Sequence, residues 1–99
     1  MTRKMDLNGI SSLWKEYKQT QNLAIRNDLV ETYLELVKHN AKCMLARFPK
    51  TIELDDLIST GTFGLIDAID AFDLARGVRF EVYASIRIRG AMLDELRAM

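Results

Sequence analysis

The stretch from Thr51 to Ala75, TIELDDLISTGTFGLIDAIDAFDLA, decides how the chain folds. Leu57, Ile58, Gly61, Leu65, Ala68, Ile69 and Phe72 recur at helical spacing and define the inner face of a helix beginning at Leu54 or Asp55 and ending near Phe72. Acids in the first turn suit the positive end of its dipole. Two glycines stand in the middle, although Gly in a helix interior costs about 0.5–1 kcal/mol relative to Ala. Gly61 falls on the inner face, where a missing side chain lets a neighbouring helix come close, and Gly64 lies beside it. Close packing is the expected reason for Gly61.

The same stretch holds six acids and no Lys or Arg. Its outer face carries Asp56, Ser59, Thr60, Phe63, Ile66, Asp67 and Asp70, with Thr62 at the edge. Spacing alone leaves two readings. One is a solvated surface; the other is a protein-docking face with apolar anchors in a polar rim.

Three more helices lie around this one. Ile10, Leu13, Trp14 and Tyr17 fall at i, i+3, i+4 and i+7, with Asn8 or Ser11 as candidate caps. A second helix is predicted from near Asn22 to about Phe48, with Leu29, Tyr33, Leu36, Val37, Ala41, Met44, Leu45 and Phe48 inward and Pro49 as its stop. Arg76-Gly77 is a turn signal. The last helix starts just after Phe80 and runs to the final residue without a glycine cap or a following proline. That bare ending leads to the expectation that the chain is a piece of something longer. The fold class is therefore all-α: a compact bundle of about four helices in a single domain spanning residues 1–99.

Composition excludes several functions. The one cysteine, Cys43, allows no internal disulfide, and with one histidine in the chain no zinc site is expected. His39 and Cys43 are one turn apart, but two ligands do not make a site. No apolar run approaches membrane-spanning length and the first residues lack a signal-peptide core, so the expected compartment is the cytoplasm with no membrane partner. Asp55 and Asp56 are adjacent and diverge by about 100° on a helix, which does not suit a shared Mg²⁺ ion. No nucleophile pair, general base or phosphate loop accompanies them, so neither catalysis nor a cofactor is expected.

Net charge is zero but unevenly spread. Residues 1–50 hold nine Lys/Arg against five acids, and residues 76–99 hold five Arg against three acids. A bipolar chain suggests two surfaces with two different partners. In RGVRFEVYASIRIRGAMLDELR, Tyr83, Ile86, Arg87, Gly90, Asp94 and Arg97 follow one side of the last helix, while Ala84, Ile88, Ala91, Met92 and Leu96 line the other. Arg79 and Phe80 precede the helix and lean over the first side. Arginines interleaved with aromatic rings suit single-stranded nucleic acid, because bases stack on rings while Arg neutralises phosphate. The alternative is that Phe80 and Tyr83 are core rings and the arginines pair with Glu81, Asp94 and Glu95.

LDDLISTGTFGLIDAIDAFD followed by RGVRFEVYASIRIRGAMLDELR resembles conserved region two of bacterial RNA polymerase sigma factors, most closely the flagellar and sporulation type of alternative sigma factor. The likeness runs from about residue 12 to the end, and the last fifty residues carry most of it. The resemblance implies two jobs. The helix starting at the DDL motif would dock on the clamp helices of the largest subunit of core RNA polymerase, through Asp56, Ser59, Thr60, Thr62 and Ile66. The second job is to read and melt the promoter's minus-ten element, holding flipped bases of the non-template strand. This assigns Arg76, Arg79, Phe80, Tyr83, Ile86, Arg87 and Gly90 to DNA, with Arg89 partly structural. An anti-sigma protein is a further implied partner.

The chain departs from the housekeeping pattern in three places. Ile86 and Arg87 stand where those proteins carry a Trp pair, which implies weaker intrinsic melting and stricter promoter choice. Gly90 replaces a base-reading Gln. Glu35 occupies the place of a proline within the second helix, which predicts a less interrupted helix. The resemblance also implies downstream sigma domains, for the spacer and the minus-thirty-five element, which these 99 residues are not expected to include.

Overall fold

The computed structural model describes residues 7–48 and 52–97. They form four α-helices: α1 (Leu7–Thr20), α2 (Leu23–Arg47), α3 (Leu54–Ala71) and α4 (Phe80–Arg97), with a short 3₁₀ turn, Leu74–Arg76, between the last two. Asn8 and Ser11, the candidate caps, both lie inside α1 rather than at its start. Pro49 and the last two residues lie outside the described residues.

α1 ends because Gln21 adopts a left-handed backbone, φ 54°, which breaks the helical ladder. Asn22 then caps α2, its side-chain oxygen accepting from the backbone N–H groups of Ala24 (2.8 Å) and Ile25 (3.3 Å). α2 runs 25 residues without a break, in keeping with Glu35 where a proline is expected in relatives. Leu29, Tyr33, Val37, Ala41 and Met44 are buried along it, Leu36 and Leu45 are half-buried, and Phe48, at its very end, is exposed.

α3 packs against both α2 and α4 and forms the middle of the bundle. Both of its interior glycines are spacers against α4. A Cβ on Gly64 would stand 2.9 Å from the carbonyl oxygen of Arg87 and 3.0 Å from Cα of Ile88. Those are backbone atoms, which cannot move aside. At Gly61 a Cβ would meet side chains instead: the Met92 terminal methyl, Val37 Cγ1 at 3.0 Å and Ile88 Cγ2 at 3.3 Å. Leu57, Leu65, Ala68 and Ile69 of α3 face Ala84, Ile88 and Met92 of α4 within one core.

One end of the bundle is a cluster of aromatic rings. Phe80 lies 4.6 Å from Tyr33, 4.8 Å from Trp14 and 5.1 Å from Phe72, centroid to centroid. Trp14 Nε1 donates to the Tyr33 hydroxyl at 3.1 Å. The expectation that Phe80 precedes α4 as a surface ring is corrected: it is the first residue of the helix, only 5% exposed, on the face continued by Ala84 and Ile88. The ring is tipped into the core because it shares that apolar face.

Two predictions follow from this packing. Gly64→Ala is expected to lower stability to urea by about 1–3 kcal/mol, because the backbones must separate. Gly61→Ala is expected to cost less than half as much, since the Met92 side chain can swing away and Ala gains about 0.8–1 kcal/mol of helix propensity. The second concerns alkaline pH. Burial pushes the Tyr33 phenol above its ordinary range, and burial followed by the hydrogen bond to Asp70 does the same for Tyr17. A phenol raised in the folded state stabilises the fold fully below its ordinary value near 10 and loses that contribution as pH climbs through the raised value. Stability to urea should therefore fall as pH rises past about 10, less steeply in Tyr17→Phe.

Candidate protein-docking and nucleic-acid faces

The outer face of α3 is built by a stripe at helical spacing. Asp56, Ser59 and Asp67 are exposed, Thr60 and Ile66 are half-buried, and Phe63 is 71% exposed. Phe63 and the half-buried Ile66 are the apolar residues of this face, set among acids and hydroxyls. Thr62 sits at the flank, where its hydroxyl donates to the Ile58 carbonyl at 2.7 Å and is satisfied within the helix. Asp70, exposed at the end of the stripe, is engaged within the bundle: its carboxylate accepts from the Tyr17 hydroxyl and lies 3.8 Å from Arg26.

The second face is formed by the connector 73–79 and the outer side of α4. Asp73 caps the 3₁₀ turn through the Ala75 N–H at 2.9 Å, and Gly77 closes it at φ 76°, a left-handed conformation that favours glycine. The turn leaves Arg76 and Arg79 exposed. Arg87 lies over the half-buried Tyr83 ring, 5.1 Å from its centroid, and Tyr83 in turn packs 5.4 Å from Phe72. Among the described residues no carboxylate pairs with Arg76, Arg79 or Arg87; the ion pair on this helix is Arg97–Asp94 at 3.6 Å. The arginines are thus not consumed by Glu81 or Glu95. Arg89 differs from them. Its guanidinium donates to the buried Asn40 side-chain oxygen at 3.1 Å, and Asn40 donates to the Leu36 carbonyl at 2.8 Å. Arg89 therefore ties α4 to α2.

Of the residues expected to meet nucleic acid, Arg76, Arg79, Ile86 and Arg87 are exposed and Tyr83 is half-buried. Phe80 is sealed in the core and offers no stacking surface. Gly90 has no atom within 4 Å of where a Cβ would stand. It opens a groove of about 280 Å³ whose lining includes Phe63 and Asp67 of α3 and Arg87 and Asp94 of α4. This groove joins the two faces. Sequence reading missed the exposed apolar residues Leu74, Val78 and Val82, which are 45%, 49% and 56% exposed. Val82 lies one turn before Ile86, a spacing that would have revealed it.

Other chemistry finds little support. Cys43 Sγ lies 3.7 Å from His39 Nε2, both exposed, and among the described residues no group of three potential ligands comes together. No described helix is long and apolar enough to cross a membrane.

Comparison with known proteins agrees with the resemblance. The family described as Sigma-70 region 2 matches residues 29–98. The chain is 47% identical over 73 residues to RNA polymerase sigma factor FliA of Yersinia enterocolitica, covering 74% of the chain and 32% of that protein. It is 40% identical over 85 residues to RNA polymerase sigma-D factor of Bacillus subtilis, covering 86% of the chain and 34% of the relative. FliA of Escherichia coli matches at 45% over 73 residues, with 74% of the chain and 30% of the relative covered. The chain thus spans about a third of the length of these relatives.

Proposed function

Because this chain belongs to the Sigma-70 region 2 family, we propose that it is the polymerase-docking and promoter-reading domain of an alternative sigma factor of the flagellar type. The observation that carries the reading is the separation of two unlike faces. A ridge on α3 without cations adjoins a ledge where, among the described residues, Arg76, Arg79 and Arg87 have no carboxylate partner and lie with Tyr83 and Ile86.

On the ridge, Asp56, Ser59 and Thr60 present acceptors to basic side chains on the clamp helices of core RNA polymerase, and Phe63 and Ile66 supply apolar anchors. Thr62 contributes at the flank through its methyl group, its hydroxyl being engaged. On the ledge, unpaired arginines neutralise phosphates of the non-template strand of the minus-ten element. Tyr83 offers a ring to an unstacked base, and the open backbone at Gly90 gives a base edge room to approach. Ile86 and Arg87, in place of a Trp pair, give less surface to wedge against the duplex end, so melting by this domain depends more on the promoter sequence. The reading assigns no catalysis to the chain and places its work in the cytoplasm, where polymerase acts.

An anti-sigma protein is a second occupant of the same surface. Val82 and Ile86, 56% and 62% exposed and one turn apart, form the kind of apolar pair that receives an amphipathic partner helix.

The test is binding of the domain to a fluorescent minus-ten non-template strand across a range of salt. Arg79→Ala should weaken binding and flatten the slope of log K against log salt by about 0.7, the single-strand value per phosphate contact. Tyr83→Ala should weaken binding by about 1–3 kcal/mol with little change in slope. Indifference to both changes would remove the nucleic-acid face. Phe80→Ala should instead destabilise the fold by about 3–5 kcal/mol, because it empties the aromatic core. For the ridge, Asp56→Lys should abolish capture of core enzyme; retained capture would show that α3 docks elsewhere.

A further inference from the structure

We infer that α1 is a positioning element for the nucleic-acid ledge, acting through a latch of Tyr17, Lys18 and Asp70. The inference rests on the reading above that the ledge meets DNA. α3 ends at Ala71 with no Lys or Arg in its last turn, so its terminal carbonyls lack a local cation. Lys18 supplies one from α1: its Nζ donates to the carbonyls of Ile69 at 2.9 Å and Asp70 at 3.0 Å. The Tyr17 hydroxyl donates to the Asp70 carboxylate, and Arg26 of α2 lies 3.8 Å from the other carboxylate oxygen. Three helices are thereby joined at the point where α3 stops.

One turn earlier on α1, Trp14 holds both ends of the connector that follows. Its ring lies 5.5 Å from Phe72 and 4.8 Å from Phe80, the residues flanking 73–79. Every residue from Asp73 to Arg79 is exposed, so the connector contributes none of the buried residues of the core. Apart from the Asp73 cap, its short turn and the Arg79 carbonyl, which accepts from the Tyr83 N–H at 3.3 Å, its path is set by where Phe72 and Phe80 are held. That path places Arg76 and Arg79, and Phe72 also supports the Tyr83 ring. Among the described residues no hydrogen bond, ion pair or ring contact joins α1 to these ledge residues, yet Trp14 packs against both anchors between which they hang. Lys18 is a positioning residue rather than a phosphate contact, since its ammonium is engaged by two carbonyls.

The experiment uses the whole chain with Lys18→Met, which keeps the apolar stem and removes the charge. Amide exchange at Phe72, bonded to the Ala68 carbonyl, and at Ala75 and Arg76, both bonded to Asp73, should quicken about tenfold while Leu57–Leu65 holds its protection. Affinity for a labelled single strand carrying the minus-ten non-template sequence should fall about fivefold at fixed salt. The slope of log K against log salt should stay unchanged, because no phosphate contact is lost. Lys18→Arg should restore both affinity and protection, and Tyr17→Phe, which deletes one oxygen, should move both in the direction of Lys18→Met. Unchanged exchange at Phe72, Ala75 and Arg76, a flattened salt slope, or quickened exchange with unaltered affinity would each overturn the inference. Wild-type protein that ignores the strand would overturn the reading of the ledge instead, and is told apart because the exchange measurement still reports whether the latch exists.

Discussion

The bundle depends on how closely α3 and α4 approach at Gly64. With the Arg87 carbonyl and Ile88 Cα about 3 Å from the place of a Cβ, the two backbones are nearly in contact. That approach lets short residues such as Ala68 and Ala84 be fully buried between larger neighbours. It also fixes the register of α4 against α3, and hence which arginines emerge beside which acids. A bulkier residue at Gly64 would push the helices apart and open the core around Leu65 and Ile88. The helix-propensity cost of glycine is thus offset by close packing along the whole α3–α4 seam.

From that seam the charge layout follows. α3 contributes carboxylates to solvent on one side, and α4 contributes guanidinium groups on the next, with a shallow groove between them. Opposite charges on neighbouring helices would ordinarily pair. Arg87 instead lies over the Tyr83 ring, and Arg76 and Arg79 lie on the exposed connector with no carboxylate partner among the described residues. Keeping the two signs apart leaves both available for the partners proposed above, since a group neutralised internally has little left to offer a partner. Arg89, which is tied to Asn40, is the exception, and it faces a different helix.

Much of this is legible in the chain of letters, and the failures have physical causes. Helical spacing locates α2, α3 and α4 to within a residue or two, since their apolar faces are long and regular. Gly61 and Gly64 are readable as packing sites because little else excuses glycine in a helix. Phe80 is misplaced by reading α4 as starting one residue late. Counted from Phe80, the set Phe80, Ala84, Ile88 is an uninterrupted buried face. Asp70 is exposed as its spacing predicts, but its tie to Tyr17, 53 residues away, leaves no trace in local periodicity. The Lys18 cap on α3, 51 residues distant, is hidden in the same way. Helix faces are encoded locally, whereas polar ties across helices emerge only once the faces have packed.

The placement of Arg87 over Tyr83 has one more consequence. Part of that aromatic surface is already occupied, by a cation held 5.1 Å from its centre, and Phe72 supports the ring from its neighbourhood in the core. If the ledge meets DNA as proposed, a base arriving on the occupied side must displace the guanidinium before it can stack. The displaced charge then finds itself next to the incoming sugar-phosphate chain. Capture on that side is consequently an exchange of partners, in which an attraction surrendered within the protein is replaced by one made to the newcomer.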